Sequence, residues 1–295
     1  MALPAAVIGV AAVIVALVVT VVLALYDIRD PFARTFVGGE WFAVVIGDPA
    51  LHAALFNQLI FTSLVLVIEV PLGVALAFAI PRHGAGATLW IVLLALPLVT
   101  PWGVIGMMGK IAAHPHVGFL GDFMVQGDAL DAWVLVTVVD AWHWTPLVAL
   151  LCHAGLRAIP GESYDAMRID GASNRAILRH VEIPAILPPL AIAAIFRVAD
   201  RLAVYAAPVV MFGEGPPDAP VFLTQYVAET ALDRFDLGAA SAVSSLYVLV
   251  ALPLVLVAYG VIAGRRRGDR SGLSPCAGSP LPPMPYSCWR RSIGW

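Results

Sequence analysis

The sequence predicts an all-α membrane protein with six transmembrane helices and both termini in the cytoplasm. Three observations carry this: an apolar composition, apolar segments of bilayer-spanning length, and a one-sided distribution of arginine. Of the 295 residues, 60% are hydrophobic and only 13% charged, too few charges to cover a soluble domain of this size. Apolar segments recur at 3–26, 57–80, 88–109, 132–155, 186–212 and 239–263. Each is near the roughly 20 residues that a helix needs to cross the hydrocarbon core.

Each segment has its own signals. The first, Leu3 to Tyr26, follows no Lys or Arg and exceeds the usual apolar region of a signal peptide, so it reads as a retained helix. The second begins after Asn57-Gln58 and stops at Pro81-Arg82. The third contains Pro97 and Pro101, which a bundle tolerates where neighbours satisfy the freed carbonyls. Pro188-Pro189 stands at the entry of the fifth.

Orientation follows from charge. The loops at 81–87, 156–185 and 264–295 hold eleven arginines, whereas the opposite loops hold only Arg29, Arg34, Lys110 and Arg234. Cations mark the cytoplasmic side, and an even number of crossings returns both termini to it. Residues 1–264 therefore form the membrane domain. Residues 265–295, rich in Pro, Ser and Gly without helical period, read as a disordered cytoplasmic tail. No basic stripe with interleaved aromatics exists, which excludes nucleic acid as a partner. Cys152, Cys276 and Cys288 are too scattered for a disulfide framework or a metal site.

The longest cytoplasmic loop, 156–185, has the pattern of a helix–turn–helix elbow. Pro160 suits a first helical turn, and Glu162 and Asp165 sit near a helix start, where the dipole favours anions. Gly171 is placed to take the left-handed conformation that ends the first helix. A second short helix is expected from Ala172 through Arg179, passing Arg175, with Pro184 stopping it. An elbow outside the membrane with apolar and cationic faces is a docking element.

These residues resemble the E-A-A loop of binding-protein-dependent ABC importer permeases, whose pattern is E-A-A, three residues, G, nine residues, I-x-L-P. Asp165-Ala166-Met167 fills the first triplet, Gly171 the glycine, and Val181, Ile183 and Pro184 the last element. The spacing matches throughout. The triplet Asp170-Gly171-Ala172 is that of the carbohydrate-type permeases. The stretches DAWHWTPLVALLCHAGLRAIP, FRVADRLAVYAAPVVMFGEGP and FLTQYVAETALDRFDLGAAS resemble the first permease of bacterial glycerol ABC importers more than the disaccharide branch. One departure is Phe212-Gly213-Glu214-Gly215-Pro216, where relatives carry T-G-G-G-P.

The resemblance implies a MetI-like fold in the bacterial inner membrane. It implies two ATP-binding subunits, a second permease and an extracytoplasmic solute-binding protein as partners, and a small polyol or sugar as solute, glycerol first among them. Another carbohydrate or glycerol phosphate is the alternative. The residues agree on one point independently: no phosphate-binding G-x-x-x-x-G-K-[ST] loop exists, since the single lysine, Lys110, precedes Ile111-Ala112. ATP and Mg belong to partner subunits, and the chain itself is expected to bind no cofactor and catalyse nothing.

Ionisable residues at membrane depth are costly and face a bundle interior. Arg197, Asp200 and Arg201 stand at i, i+3 and i+4 on one helical face, with Tyr205 continuing it. Asp140 and His143 follow the same spacing in the fourth segment beside Trp142 and Trp144, and Glu69 lies in the second. Carboxylates, guanidiniums and aromatic faces suit a polyol, which makes Asp140, Trp144, Asp200, Arg201 and Tyr205 the candidate substrate path. The competing reading of the charged residues is ion pairing between helices, and that of Trp142 and Trp144 is interfacial anchoring. An intramembrane enzyme built on Asp140, His143 and Asp200 lacks any supporting motif. An ion-driven transporter lacks the repeat it would need.

Overall fold

A computed structural model describes residues 2–30, 33–121, 128–213, 219–249, 251–252 and 260. The expected tail at 265–295, the end of the sixth segment and the Glu214-Gly215-Pro216 departure lie outside the described residues.

The chain opens with an apolar helix, α1 (Ala2–Leu23). An antiparallel hairpin follows, β1 (Tyr26–Asp30) and β2 (Ala33–Phe36), with Tyr26 opposite Phe36. The all-α expectation did not include it. The facing rings of Tyr26 and Phe36 meet edge to face at 5.5 Å, a cross-strand pair that favours the pairing.

A short α2 (Glu40–Ile46) leads into the 31-residue α3 (Pro49–Ala79). This helix starts eight residues ahead of the expected 57, because Asp48-Pro49 is a stronger start signal than Asn57-Gln58. The Asp48 carboxylate accepts the Ala50 N–H at 2.8 Å, and Pro49 occupies the first turn. The other carboxylate oxygen accepts the Tyr226 hydroxyl at 2.5 Å. That hydrogen bond, ahead of the one from Ala50, holds Asp48 below the usual carboxylate range. Asn57 and Gln58 lie inside the helix and donate to backbone carbonyls of Val221 and Arg201.

The third segment is not one straight span. It forms α4 (Ala85–Val99) and α5 (Trp102–Ala112), bent by 94°. Thr100 is extended ahead of Pro101, the conformation a residue before proline prefers. Pro101 has no N–H to offer the Pro97 carbonyl four residues back. The Thr100 N–H takes that carbonyl instead, at 3.1 Å.

The long α6 (Ala129–Arg157) is the axis of the bundle, packed on α3, α4 and α9. Beyond it come α7 (Gly161–Ile169), α8 (Asn174–Ile177), a π turn at Leu178–Glu182 and α9 (Ile183–Arg201). The second elbow helix thus does not stop at Pro184, as the sequence suggested, but runs on from Asn174 to Arg201. The wide turn just ahead of Pro184 explains this. Ile183 N–H reaches the Leu178 carbonyl, five residues back, and the helix widens where the proline ring would press on its own preceding turn.

The fifth segment is also shorter than expected. Helix α9 ends at Arg201, and α10 (Ala206–Phe212) resumes after a break. Then follow α11 (Leu223–Ala228) and α12 (Leu237–Leu249). Among the described residues, three helices are long and apolar enough to cross a membrane, and the bent α4–α5 pair is a fourth candidate. The first and sixth segments are shorter apolar helices there, Ala11–Leu23 within α1 and α12.

One core joins Phe61, Val65, Leu135, Met211 and Phe222, and another joins Ala77, Val148, Cys152, Leu156 and Ile186. Val67 and Val99, 71% and 80% exposed, point apolar surface outward, as a lipid-facing helix must. Helices α3 and α6 pack tightly at Gly73, where a Cβ would lie 2.5 Å from the Val148 Cβ. Overpacking of this kind costs about 1–3 kcal/mol. Gly73→Val should therefore lower the unfolding temperature of the detergent-solubilised protein, and an unchanged melt would mean the crossing can spread freely.

Candidate functional site

Two places concentrate chemistry. The first is the elbow. Asp170 ends α7, and Gly171 follows at φ +74°. The Ala172 N–H bonds the Met167 carbonyl at 2.9 Å and the Gly171 N–H bonds that of Arg168 at 3.0 Å. This pair of bonds is a Schellman motif, which reverses the chain on a left-handed residue. Ser173 then caps α8, its hydroxyl accepting the Ala176 N–H at 3.3 Å. The turn is therefore closed from both sides within four residues.

Glu162, Asp165, Ala166, Asp170, Gly171 and Arg175 are exposed on this elbow, Ala172 is half-buried, and Pro184 stands exposed at the start of α9. Ile169, at the tip, is 85% exposed. No role for it was singled out in the sequence. Its exposure could not be read from the sequence, because helical period alone does not say that the tip lacks a neighbour.

Three residues link the elbow to the end of α3. Glu182, in the π turn, pairs with Arg82 beyond the end of α3 and accepts the Tyr164 hydroxyl at 3.2 Å. The Arg82 guanidinium lies 4.5 Å above the Tyr164 ring centroid. Burial, above all, raises the Tyr164 phenol above its ordinary value, so the hydroxyl remains a donor.

The second place is a buried ion cluster joining α3, α6 and α9. Arg197 donates to both Glu69 oxygens, at 2.7 and 2.6 Å, to Asp140 at 2.8 Å and to Asp200 at 2.8 Å. Arg201 binds the other Asp140 oxygen and Asp200, the latter at 2.6 Å. Two guanidiniums thus face three carboxylates, one negative charge in excess when all are ionised. Trp144 stacks on Arg197, whose Cζ lies 4.5 Å from its ring. That contact turns Trp144 into the bundle, while Trp142 is 46% exposed.

The helix break follows directly. The Gln58 amide takes the Arg201 carbonyl at 2.5 Å, and the Thr224 hydroxyl takes that of Val204. Non-helical backbone at membrane depth persists where it is buried in protein or lines a cavity. Here it does both. A cavity of about 150 Å³ opens at the break, lined among others by Trp102, Asp200, Arg201, Val204 and Tyr205.

The candidate path residues therefore divide. Asp200, Arg201 and Tyr205 line the cavity, whereas Asp140 and Trp144 do not. Tyr205 reaches it from the break, not by continuing the helical face, because α9 has ended. The Arg201 Nε is buried without an acceptor among the described residues. Trp102, a cavity wall missed in the sequence, arrives only through the 94° bend between α4 and α5. Among the described residues no cluster of metal-ligating side chains occurs.

A helical bundle with apolar outer faces, a cavity at a broken helix and a charged elbow at one end is built for transport. The chain belongs to the family of binding-protein-dependent transport system inner membrane components, matched over residues 69–265. Members of that family are transport subunits, not enzymes. The chain is 27% identical over 245 residues to the trehalose/maltose transport system permease MalF of Thermococcus litoralis, covering 80% of this chain and 82% of that protein. It is 26% identical over 238 residues to the sulfoquinovosyl glycerol permease SmoG of Agrobacterium fabrum, covering 76% and 75%. The fold is similar to a bacterial ABC transporter that imports alginate, with a TM-score of 0.70 at 16% identity over 82% of this chain and 87% of that one.

Proposed function

We propose that this chain forms half of the translocation path of an ATP-driven importer for a small polyol or sugar, with glycerol the first solute to test. The observation that carries the reading is the exposed elbow: a Schellman turn on Gly171 presents a rigid corner with an apolar tip, joined through one continuous helix to the ion cluster. ATP and Mg sit on two partner subunits, and Glu162, Asp165, Ala166, Asp170, Gly171, Ala172, Arg175 and Pro184 form or flank the surface that meets them. A second permease and an extracytoplasmic solute-binding protein complete the assembly. The membrane domain at 1–264 crosses six times, with both termini and the tail at 265–295 in the cytoplasm.

The relatives named for trehalose/maltose and for sulfoquinovosyl glycerol support a carbohydrate-class solute. So does the cavity chemistry. Asp200 accepts from a hydroxyl, the free Arg201 Nε donates to one, and Trp102 offers an apolar face to C–H groups. At about 150 Å³ the cavity is below the roughly 300 Å³ of usual ligand sites, which fits a half-site that a second permease completes.

The test is affinity purification of the tagged chain from its host, together with uptake of labelled glycerol, polyols and sugars by a deletion strain. ATPase subunits should accompany the chain, and the deletion should abolish uptake of one of these solutes. Purification without any ATPase subunit would overturn the reading. Asp200→Asn should reduce uptake by about tenfold or more at normal membrane levels, the loss of one charge-assisted hydrogen bond. Uptake equal to the parent's would remove Asp200 from the path.

A further inference from the structure

Among the described residues, one polar cluster links α7 to the end of α3, and it is separate from the ion cluster. Helix α7 exposes most of its surface, with no fully buried residue of its own. The polar cluster joins it to the membrane helices: Tyr164 of α7, Glu182 of the π turn and Arg82 after α3. Arg82 uses both of its properties, charge toward Glu182 and a flat face toward Tyr164, which a lysine cannot reproduce. Glu182 is 14% exposed and Arg82 38%, so the pair is shielded on one side only and free to open without unfolding the bundle.

Position gives this contact its consequence. Glu182 lies in the π turn, where the helix from Asn174 to Arg201 is least regular, and such turns mark places where a helix yields. From Glu182 the helix runs about 22 Å to Arg197, the residue that gathers three carboxylates. An elbow that tilts about the π turn therefore moves one end of the helix whose other end bears the cluster and the cavity. We infer that Arg82, Tyr164 and Glu182 form a releasable clasp that sets the angle of the elbow against the end of α3. These are positioning residues: resting on the proposed transport function, the clasp holds the elbow in the angle that an ATPase subunit reads and opens when that subunit pulls on it.

The clasp can be tested without a partner or a solute. Purified protein in detergent is digested with trypsin, and the rates of cleavage after Arg168 and Arg175 are followed by mass spectrometry. Both arginines are exposed on the elbow, so cleavage reports local opening of its short helices. Arg82→Glu and Glu182→Arg should each raise these rates about tenfold, and the double exchange should return them to within about twofold of the parent, as reciprocal charges re-form. Arg82→Lys should cleave faster than the parent, because the stacked fork is lost. The unfolding temperature should stay unchanged in all of them, which separates a hinge restraint from general destabilisation. Rates unmoved by either reversal, or a double exchange that cleaves as fast as the reversals, would overturn the clasp. If a reversal fails to fold, Glu182→Gln carries the same test, with faster cleavage expected and an unchanged rate fatal. A parent chain that brings no ATPase subunit out of its host would sink the transport reading instead, and leave the cleavage result standing.

Discussion

Gly171→Val is expected to leave the chain in the membrane and strip it of its ATPase partner. The glycine sits at φ +74°, and a Cβ built there meets nothing within 4 Å. Steric crowding from neighbours is therefore absent, and the whole effect comes from the backbone. A left-handed L-residue costs roughly 1–2 kcal/mol, and a β-branched side chain is worse placed still. The turn can shed that cost only by giving up the bonds from Ala172 to Met167 and from Gly171 to Arg168, which rotates α8 away from α7. The corner presented by Ile169, Asp170 and Arg175 is then lost, while α3, α6 and α9 are untouched. Membrane levels should match the parent, and co-purifying ATPase subunit and uptake should each fall at least about tenfold. Gly171→Asn is the control, since asparagine tolerates this region, and it should retain most of both. Full ATPase association in the valine variant would show that the elbow is not the coupling element.

What the sequence disclosed depended on how local the cause was. The Gly171 turn was legible because Schellman chemistry is written in a few adjacent residues. The long apolar helices α3 and α6 were legible for the same reason. The 94° bend at Pro101 was half legible: two prolines announced an interruption, but not that the chain would turn so sharply, with the Thr100 N–H taking up the Pro97 carbonyl. The continuation of α8 into α9 was misread, because a proline normally stops a helix and the π turn that evades it leaves no composition signal. Tyr205 was misassigned for a related reason. Helical period was extrapolated past Arg201, where cross-helix bonds from Gln58 and Thr224 hold the break open. Spacing placed Arg197, Asp200 and Arg201 together on one face, but their division into pairing and cavity-lining residues depends on which neighbours arrive from α3 and α6. The Arg82–Tyr164–Glu182 contact spans 100 residues of sequence, and nothing local points to it.

Removing Arg197 should damage the protein itself more than any other single change in the ion cluster. Its side chain is fully buried and holds carboxylates from three helical positions, Glu69 on α3, Asp140 on α6 and Asp200 on its own helix. Glu69 receives both of its hydrogen bonds from Arg197 and is itself fully buried. Arg197→Met, close in length and able to insert, would leave that carboxylate without a partner beside two more and a single remaining guanidinium. Breaking one half of a buried ion pair costs about 3–5 kcal/mol, a large part of the roughly 5–15 kcal/mol that holds a folded domain. The expected result is a sharply lower unfolding temperature in detergent and reduced steady-state levels in the membrane. The double variant Arg197→Met with Glu69→Leu removes the orphaned charge as well and should recover much of the lost stability. Its uptake then separates two roles for the pair. Should a stable double variant transport normally, Arg197 and Glu69 are a fastening between α3 and α9, and the substrate path belongs to Asp200, Arg201 and Trp102 at the cavity. A double variant as unstable as Arg197→Met alone would instead show that the arginine is required for Asp140 and Asp200, and that the cluster stands or falls as one unit.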